Sequence, residues 1–300
     1  MRSLQTVRIT WAAIPPPVRG AMWMVLANVF FTLMNTLVRE LSSRYGLFEL
    51  LFVRSLFGLI FVLLLVWPAG IRSLKTTRPA LQVVRGLLGF AAMYLWFFAV
   101  SNIPLAQATA INFSAPIFAA VLIAVFLGER MRARRWTATA LGFVGMLIVL
   151  RPGFAEFSLA IGSALCASML MAVGATVVKV VARTDHPNSV VLYVPLFLSV
   201  FAVAPALLEW TPPTGTDLAL MAMLGLVGTL AHHCWVRAFA VTEATAVLPY
   251  DFVRLPMMAL AGYALYAEIP DLWTWVGAAV ILGSSVYMAH RESRAHRRRQ

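Results

Sequence analysis

The chain has 300 residues, of which 61% are hydrophobic and only 12% are charged, and its mean hydropathy is +0.83. Soluble domains use about 45–50% apolar and about 25% charged residues, so this composition excludes an ordinary soluble protein. The net charge of +12 would suit nucleic-acid binding in a soluble protein. Here the basic residues lie between long apolar runs, which is typical of a membrane surface. We therefore predict an integral membrane protein with no nucleic-acid partner.

Ten apolar segments follow one another along the chain, each near the roughly 17–25 residues that a membrane-crossing helix needs. The connections between them are short, so we expect an all-α membrane protein without a separate soluble domain. The predicted spans are Ala21–Val38, Leu47–Trp67, Leu81–Val100, Leu105–Leu127, Trp136–Leu150, Ser158–Val181, Val190–Leu208, Leu218–Ala240, Ala244–Tyr266 and Leu272–Met288.

The uneven distribution of basic residues predicts the orientation. With both termini cytoplasmic, 18 of the 24 Lys and Arg residues fall on the cytoplasmic side, three fall outside and three lie within spans. Cytoplasmic loops of membrane proteins carry such an excess. We therefore expect a multi-pass protein of the inner membrane with cytoplasmic tails at 1–20 and 290–300.

Two runs of the chain resemble each other: NFSAPIFAAVLIAVFLGE at 112–129 and DFVRLPMMALAGYALYAE at 251–268. In each run a proline precedes a terminal glutamate, Glu129 or Glu268, which we interpret as an anchor at the end of its span. Five spans in each half is an odd number, so the second half would enter the membrane inverted. Inverted repeats recur in transporters, with the substrate site near the midplane.

The same regions carry a family resemblance. The run AQATAINFSAPIFAAVLIAVFLGERMRARRW, followed by GFVGMLIVLRPG, resembles the first EamA domain of the drug/metabolite transporter superfamily. The run from 249 to 292 is similar to its subgroup of S-adenosylmethionine-uptake and riboflavin transporters. The resemblance implies ten transmembrane helices as two inverted five-helix EamA repeats, at 21–151 and 158–289. It also implies a central cavity, built mainly from the third, fourth, eighth and ninth spans with parts of the first and sixth. Family members carry amino acids, nucleotide-like metabolites, vitamins or drugs.

Three candidate substrate-binding residues lie in the ninth span. Asp251 and Arg254 are three apart, so on a helix they share a face and can neutralise each other. A charge within a membrane is costly and indicates a functional site by default. Helical rise places the two residues roughly 10 Å and 15 Å deep, near the middle of a bilayer core about 30 Å thick. Tyr250 could add an aromatic wall, and the alternative is a structural pair that holds the span to its neighbours.

His232 in the eighth span is expected at the depth of Asp251, roughly 12 Å from the cytoplasmic end. A histidine–carboxylate pair there could bind substrate or relay a proton; a histidine bonded to helix backbone is the alternative. Arg54 is expected to be a structural partner of Glu49 or Glu40. Four more candidates could line the site, although interhelical hydrogen bonds or, for the tryptophan, an interfacial position would also explain them: Asn112, Thr109, Trp96 and Asn35.

The expected function is secondary transport, as uptake or export, of a small polar metabolite such as an amino acid, an S-adenosylmethionine-like compound or a vitamin. The sequence contains no GxxxxGK[ST] loop and no HExxH or GxSxG motif, so an intramembrane enzyme without a recognisable motif is the alternative. We expect no cofactor and no metal site. The expected partners are the substrate and the lipid bilayer, with proton coupling and the choice between monomer and homodimer left open.

Overall fold

The computed structural model describes residues 14–66, 70, 74–126, 133–150, 158–181, 184–242, 247 and 250–297. Within these ranges the regular secondary structure is helical and includes no strand, which confirms the predicted all-α class. The helices are α1 Pro16–Leu41, α2 Leu47–Val66, α3 Pro79–Asn102, α4 Leu105–Asn112, α5 Ala115–Phe126, α6 Ala133–Leu150, α7 Leu159–Val181, α8 Pro187–Leu208, α9 Gly215–Val241, α10 Arg254–Tyr266 and α11 Leu272–Arg297.

Several helices extend beyond the apolar segments that predicted them, because their ends contain residues that favour helix starts. Proline occupies the first turn of α1, α3 and α8, where its missing N–H breaks no helical hydrogen bond and its fixed φ suits a helix. At the start of α9, the Thr214 hydroxyl accepts from the N–H of Asp217 at 3.2 Å, a side-chain cap that satisfies a free donor.

Six helices in the described part of the chain are long and apolar enough to cross a membrane: α1, α2, α3, α7, α8 and α9. Shorter apolar stretches lie in α6 and α11. Large apolar side chains such as Leu64, Leu208 and Leu260 are exposed on the helices, as expected of a surface that lipid tails cover. The protein is a multi-pass membrane protein.

The predicted fourth and ninth spans are not continuous helices. The fourth turns at 113–114, between α4 and α5, and the ninth turns at 252–253, directly before α10. Pro116 and Pro256 follow these turns, and neither has the N–H that would continue the helical hydrogen-bond ladder. The eight residues of α4 and the twelve of α5 would rise about 30 Å together, which matches the thickness of a bilayer core.

Helices of the two halves pack in a pattern that repeats when the halves are exchanged. In this comparison α4 and α5 count as one unit. The packing of α1 against α9 corresponds to that of α7 against α3, and the packing of α2 against α9 corresponds to that of α8 against α3. The pairs α2–α8 and α6–α11 join equivalent helices. Where α6 crosses α11, a Cβ on Gly145 would lie 2.9 Å from the Gly277 carbonyl, and one on Gly277 would lie 2.6 Å from the Gly145 carbonyl. Glycine therefore allows this close crossing.

Two groups of polar contacts mark opposite ends of the bundle. Where α3 ends, Arg39 donates to the carbonyl of Ile103 at 2.9 Å. Where α3 begins, the carboxylate of Asp185 accepts from the side chain of Gln82 at 3.2 Å. The 24 residues of α3 place these clusters roughly 35 Å apart. We name them the Arg39 end and the Asp185 end.

Candidate functional site

The two helix interruptions meet inside the protein. The rings of Phe113 and Phe252 lie in contact, with centroids 4.6 Å apart and an interplanar angle of 56°. These residues occupy the second positions of the echoing runs 112–129 and 251–268. In a two-fold arrangement, equivalent residues contact each other only near the axis, so the interruptions lie where the two halves meet.

Asp251 and Arg254 pair beside these rings. Arg254 Nη2 donates to Asp251 Oδ2 at 3.3 Å. The guanidinium also lies over the rings of Phe31 and Phe113, 5.3 and 5.4 Å from their centroids, which is favourable cation–π geometry. The two residues were expected on one continuous helix; that expectation is wrong, because the backbone turns between them at 252–253. The pair nevertheless forms across the turn.

Asn28 on α1 holds the same interruption, and the sequence analysis did not identify it. The side chain is fully buried, and its Nδ2 donates to the carbonyls of Tyr250 at 2.8 Å and Asp251 at 3.3 Å. Tyr250 itself is 43% exposed. A signal was present in the sequence: Asn28, Thr32 and Asn35 recur at helical spacing on an otherwise apolar segment.

His232 lies exposed on α9 and contacts α1 rather than Asp251. Its Nδ1 donates to the carbonyl of Gly228 at 2.8 Å, which is the backbone-bonded alternative. The ring meets Phe31 edge-on, with centroids 5.2 Å apart. Gly228, one turn earlier on the same face of α9, lies against Arg54, and Phe31 also contacts Arg254. The His232 ring therefore lies on the inward face of α9, towards α1 and α2.

Asn112 lies at the other interruption and contacts α7. Its Nδ2 is 3.4 Å from Ser168 Oγ and 3.4 Å from Met171 Sδ. Because α7 corresponds to α1 in the second half, this contact is the counterpart of the one that Asn28 makes. Thr109 has no such position, since its hydroxyl donates to the Leu105 carbonyl of its own helix at 2.8 Å and only 1% of the residue is exposed.

Trp96 and Asn35 bind each other. The indole Nε1 donates to Asn35 Oδ1 at 2.8 Å, and Asn35 Nδ2 donates to the Phe31 carbonyl at 2.8 Å. Both side chains are buried, so Trp96 does not lie at a lipid interface. The interhelical hydrogen bond that was the alternative for these residues is present, and it joins α1 to α3.

Arg54 does not form the expected ion pair. Glu40 pairs with Arg44, in the turn that follows α1, at 2.7 Å, and Glu49 accepts a backbone N–H at 3.2 Å. Arg54 instead places Nη2 3.6 Å from Met34 Sδ and lies 5.9 Å from the ring centroid of Phe97. A buried arginine therefore lies near His232 without a carboxylate partner in the described part of the chain.

Contacts around Glu268 close the bundle towards the Arg39 end. Glu268 Oε1 lies 2.5 Å from Arg39 Nη1, and its Oε2 accepts the N–H of Leu105 at 2.9 Å. The Arg39 guanidinium covers the ring of Tyr266 at 4.8 Å. A depression of about 450 Å³ lies on this side, lined in part by Arg39 and Tyr266. Glu268 thus links three segments, whereas Glu129 lies outside the described residues.

Known proteins similar in sequence are transporters. An S-adenosylmethionine uptake transporter of Rickettsia felis is 31% identical over 93% of this chain and 95% of its own length. A riboflavin transporter of Vibrio cholerae is 30% identical over 94% and 96%, and a pseudopaline exporter of Pseudomonas aeruginosa is 28% identical over 90% and 95%.

The fold and the family are found independently. A solved crystal structure superposes with a TM-score of 0.64 over 91% of this chain and 98% of that chain, at 18% identity, which shows a shared fold. The model of the EamA-like transporter family matches residues 18–151 and again residues 158–289. Together with the relatives, this makes the protein a transporter rather than an enzyme: the chain belongs to the EamA-like transporter family.

Proposed function

We propose that the protein is a secondary transporter that carries a small polar metabolite across the inner membrane by alternating access. An amino acid, an S-adenosylmethionine-like compound or a vitamin would suit the site. The names of the relatives support a small-molecule cargo. Because they include both an uptake transporter and an exporter, the proposal covers either direction.

One observation carries this proposal. Several buried polar atoms without hydrogen-bond partners lie close to the point where the two interruptions meet. Asp251 Oδ1, Arg254 Nε and Asn28 Oδ1 are all buried and make no hydrogen bond in the described structure. A buried polar group left unpaired costs about 1–3 kcal/mol, so a ligand that satisfies these atoms gains that energy on binding. The Asp251 carboxylate would accept a hydrogen bond from an amino group or attract a sulfonium group. Arg254 would donate a hydrogen bond to an acceptor on the substrate.

Aromatic rings complete the proposed site. Phe31 and Phe113 lie against the Arg254 guanidinium, and the exposed ring of Tyr250 offers a face for a heteroaromatic group. Asn112 and the exposed ring of His232 would add polar contacts. Thr109, Trp96 and Asn35 would support the site from behind, since their hydrogen bonds are already made within the protein.

The proposed topology has ten spans, with α4 and α5 forming one of them and the segment that ends in α10 forming another. The repeats are 21–151 and 158–289 in opposite orientations, and the tails 1–20 and 290–300 are cytoplasmic. The exchange symmetry of the helix contacts and the excess of basic residues in alternate loops support this arrangement. The Asp185 end would then face the cytoplasm and the Arg39 end the outside.

The closed Arg39 end suggests how access would alternate. Three connections would have to open for substrate to pass: Arg39 to Glu268, Glu268 to the Leu105 N–H, and Arg39 to the Tyr266 ring. The two Arg39 contacts join α1 to the end of the ninth span, and the Glu268–Leu105 contact joins the ends of the two interrupted spans. Helix halves that meet at a turn can shift relative to each other without unwinding, so we propose that α4 and α10 move away from α1 in the outward-open state.

A ligand screen followed by counterflow tests this function. Purified protein is heated with amino acids, flavins and S-adenosyl compounds, since a ligand that binds the folded state raises its melting temperature. Any stabilising compound is then radiolabelled and measured for counterflow into liposomes. We expect saturable counterflow that needs the same compound inside. Failure of every class both to stabilise and to exchange would contradict the proposal.

A further inference from the structure

Arg54 is a buried cation whose charge no carboxylate in the described part of the chain neutralises. Only 8% of the residue is exposed, and among the described residues its Nε has no hydrogen-bond partner. The guanidinium lies against the thioether of Met34 and the ring of Phe97, neither of which carries an opposite charge. Keeping an unpaired arginine within a membrane protein is expensive, and such residues usually mark the path of a substrate or an ion.

The neighbouring helix leaves room for this guanidinium. On α9, a Cβ at Gly228 would lie 3.0 Å from Arg54 Nη2 and 3.1 Å from Nε, which is tighter than most Cβ contacts. A larger residue at this position would therefore require the guanidinium to shift by a few tenths of an ångström. The carbonyl of the same Gly228 accepts from His232 Nδ1 at 2.8 Å. Arg54 and the interior-facing His232 ring are thus positioned by one residue.

The electrostatic balance of the site distinguishes Arg54 from Arg254. Arg254 is neutralised by Asp251 at 3.3 Å and needs no further anion. Phe31 contacts both Arg254 and His232, so one ring touches the Asp251–Arg254 pair and the histidine beside Arg54. Together the pair and Arg54 carry one more positive than negative charge, and the excess lies at Arg54.

We propose that Arg54, positioned by Gly228 and lying beside His232, binds the carboxylate of the substrate. This inference rests on the proposed transport function and narrows it to metabolites that carry a carboxylate. The planar guanidinium matches a carboxylate with two parallel N–H donors, which makes the contact both strong and directional. Asp251 then receives the cationic part of an amino-acid-like molecule across the Phe31 ring.

A structural arginine would behave differently. Glu49, five residues earlier on α2, is also buried and has one free oxygen, Oε1, so it could balance Arg54 at a distance. If the two residues only stabilised the fold, removal of Arg54 would leave Glu49 uncompensated and lower the melting temperature. If Arg54 is paired only when substrate is bound, replacing it with a neutral residue leaves the ligand-free protein at least as stable as wild type.

The test compares ligand pairs that differ in one carboxylate. Binding of S-adenosylmethionine against its decarboxylated analogue, and of lysine against cadaverine, is measured by calorimetry on detergent-purified protein, with riboflavin as a ligand that has no carboxylate. The variants are Arg54→Met, Arg54→Lys and Gly228→Ala, and Arg237→Gln on the exposed part of α9 is the matched control. Melting temperatures without ligand are recorded for all of them.

We expect wild type and Arg237→Gln to bind the carboxylated member of at least one pair tenfold or more tightly than its partner. Arg54→Met loses that preference without a fall in melting temperature, Arg54→Lys keeps part of it, and Gly228→Ala reduces it by displacing the guanidinium. Wild type that binds both members of each pair equally, or binds riboflavin alone, overturns the carboxylate site and leaves transport standing. Preference that survives in Arg54→Met overturns it as well. Folded wild type that binds none of these compounds and no member of the screened ligand classes overturns the proposed function itself.

Discussion

The rings of Phe113 and Phe252 are in contact, with their centroids 4.6 Å apart. Each residue lies at the point where a span of its own half is interrupted. The contact brings two turns of backbone together where the two halves meet. Such turns leave carbonyls that a continuous helix would satisfy, and inside a membrane protein they are tolerated only where protein or a cavity covers them. The ring contact, the carbonyl contacts of Asn28 and the Asp251–Arg254 pair therefore belong to one assembly.

The Phe113–Phe252 contact should couple the two halves energetically. We expect Phe113→Ala, whose ring is buried, to lower the free energy of unfolding by about 3–5 kcal/mol. The double variant with Phe252→Ala should lose about 0.5–1.5 kcal/mol less than the sum of the single variants, because the ring–ring contact is counted twice in that sum. Unfolding in mixed detergent measures all four proteins, and strict additivity would show that the rings do not stabilise each other.

Asn28 should be needed to hold the second interruption. In Asn28→Asp the side chain keeps its size but loses both donors, so the carbonyls of Tyr250 and Asp251 lose their partner. We expect a loss of about 1–3 kcal/mol in stability together with a loss of counterflow. Ser101→Ala is the control, since that hydroxyl bonds only its own helix. Normal counterflow in Asn28→Asp would show that this contact does not position the site.

The sequence was sufficient for the helix class, the membrane setting and most helix positions, since these follow from composition and apolar periodicity. The Asp251–Arg254 pair was also within reach, because two charges in an apolar run require an explanation wherever the backbone goes. The interruptions were not predicted. A proline signals a kink or a break equally well, and only the packed structure shows which of the two is present.

Contacts between distant segments were the other limit. Asn28 and Tyr250 lie more than two hundred positions apart, and no local pattern reports such a pairing. The prediction of a carboxylate partner for Arg54 was wrong because it relied on sequence proximity. Glu49 and Glu40 are near Arg54 in the sequence, but each makes its contact elsewhere. The position of Trp96 near the end of its span suggested an interfacial residue, but its indole is buried and donates a hydrogen bond to Asn35.

Glu268 should hold the Arg39 end closed. In Glu268→Gln the ion pair with Arg39 is lost, and we expect the population to shift towards a state open at that end. Ala106, which is 2% exposed beside Leu105, is replaced by cysteine in a variant without Cys166 and Cys234. A membrane-impermeant maleimide should then label it several-fold faster in Glu268→Gln than in the parent. Glu40→Gln is the control; equal labelling in all three proteins would contradict the gating role.

The Asp185 contacts should stabilise the other end of the bundle over a defined pH range. Burial raises the pKa of Asp185, but hydrogen bonds from Thr76, Thr77 and Gln82 outweigh it and hold that pKa well below the ordinary value. The contribution of ionised Asp185 to the free energy of unfolding is therefore fully present above the ordinary aspartate pKa of about 3.9. It is lost as the pH falls through the lower pKa of the folded state.

Asp185→Asn removes this contribution, and we expect it to lower the free energy of unfolding at pH 7 by about 1–3 kcal/mol. The difference from wild type should stay constant down to about pH 4 and narrow only below it. Thermal unfolding at a series of pH values measures it. Should the difference already shrink between pH 7 and pH 5, Asp185 would not be the group responsible.

The most direct measurement of the central claim compares the single and double neutralisation of the Asp251–Arg254 pair. Counterflow of the most stabilising metabolite is measured in liposomes for wild type, Asp251→Asn, Arg254→Ala and the double variant, with insertion checked for each and Glu40→Gln as the control. If the pair binds substrate, all three variants lose tenfold or more of the rate, equivalent to about 1.4 kcal/mol, and the double variant does not recover. Recovery of wild-type counterflow in the double variant would contradict the account, because it would show that the two charges serve only to neutralise each other.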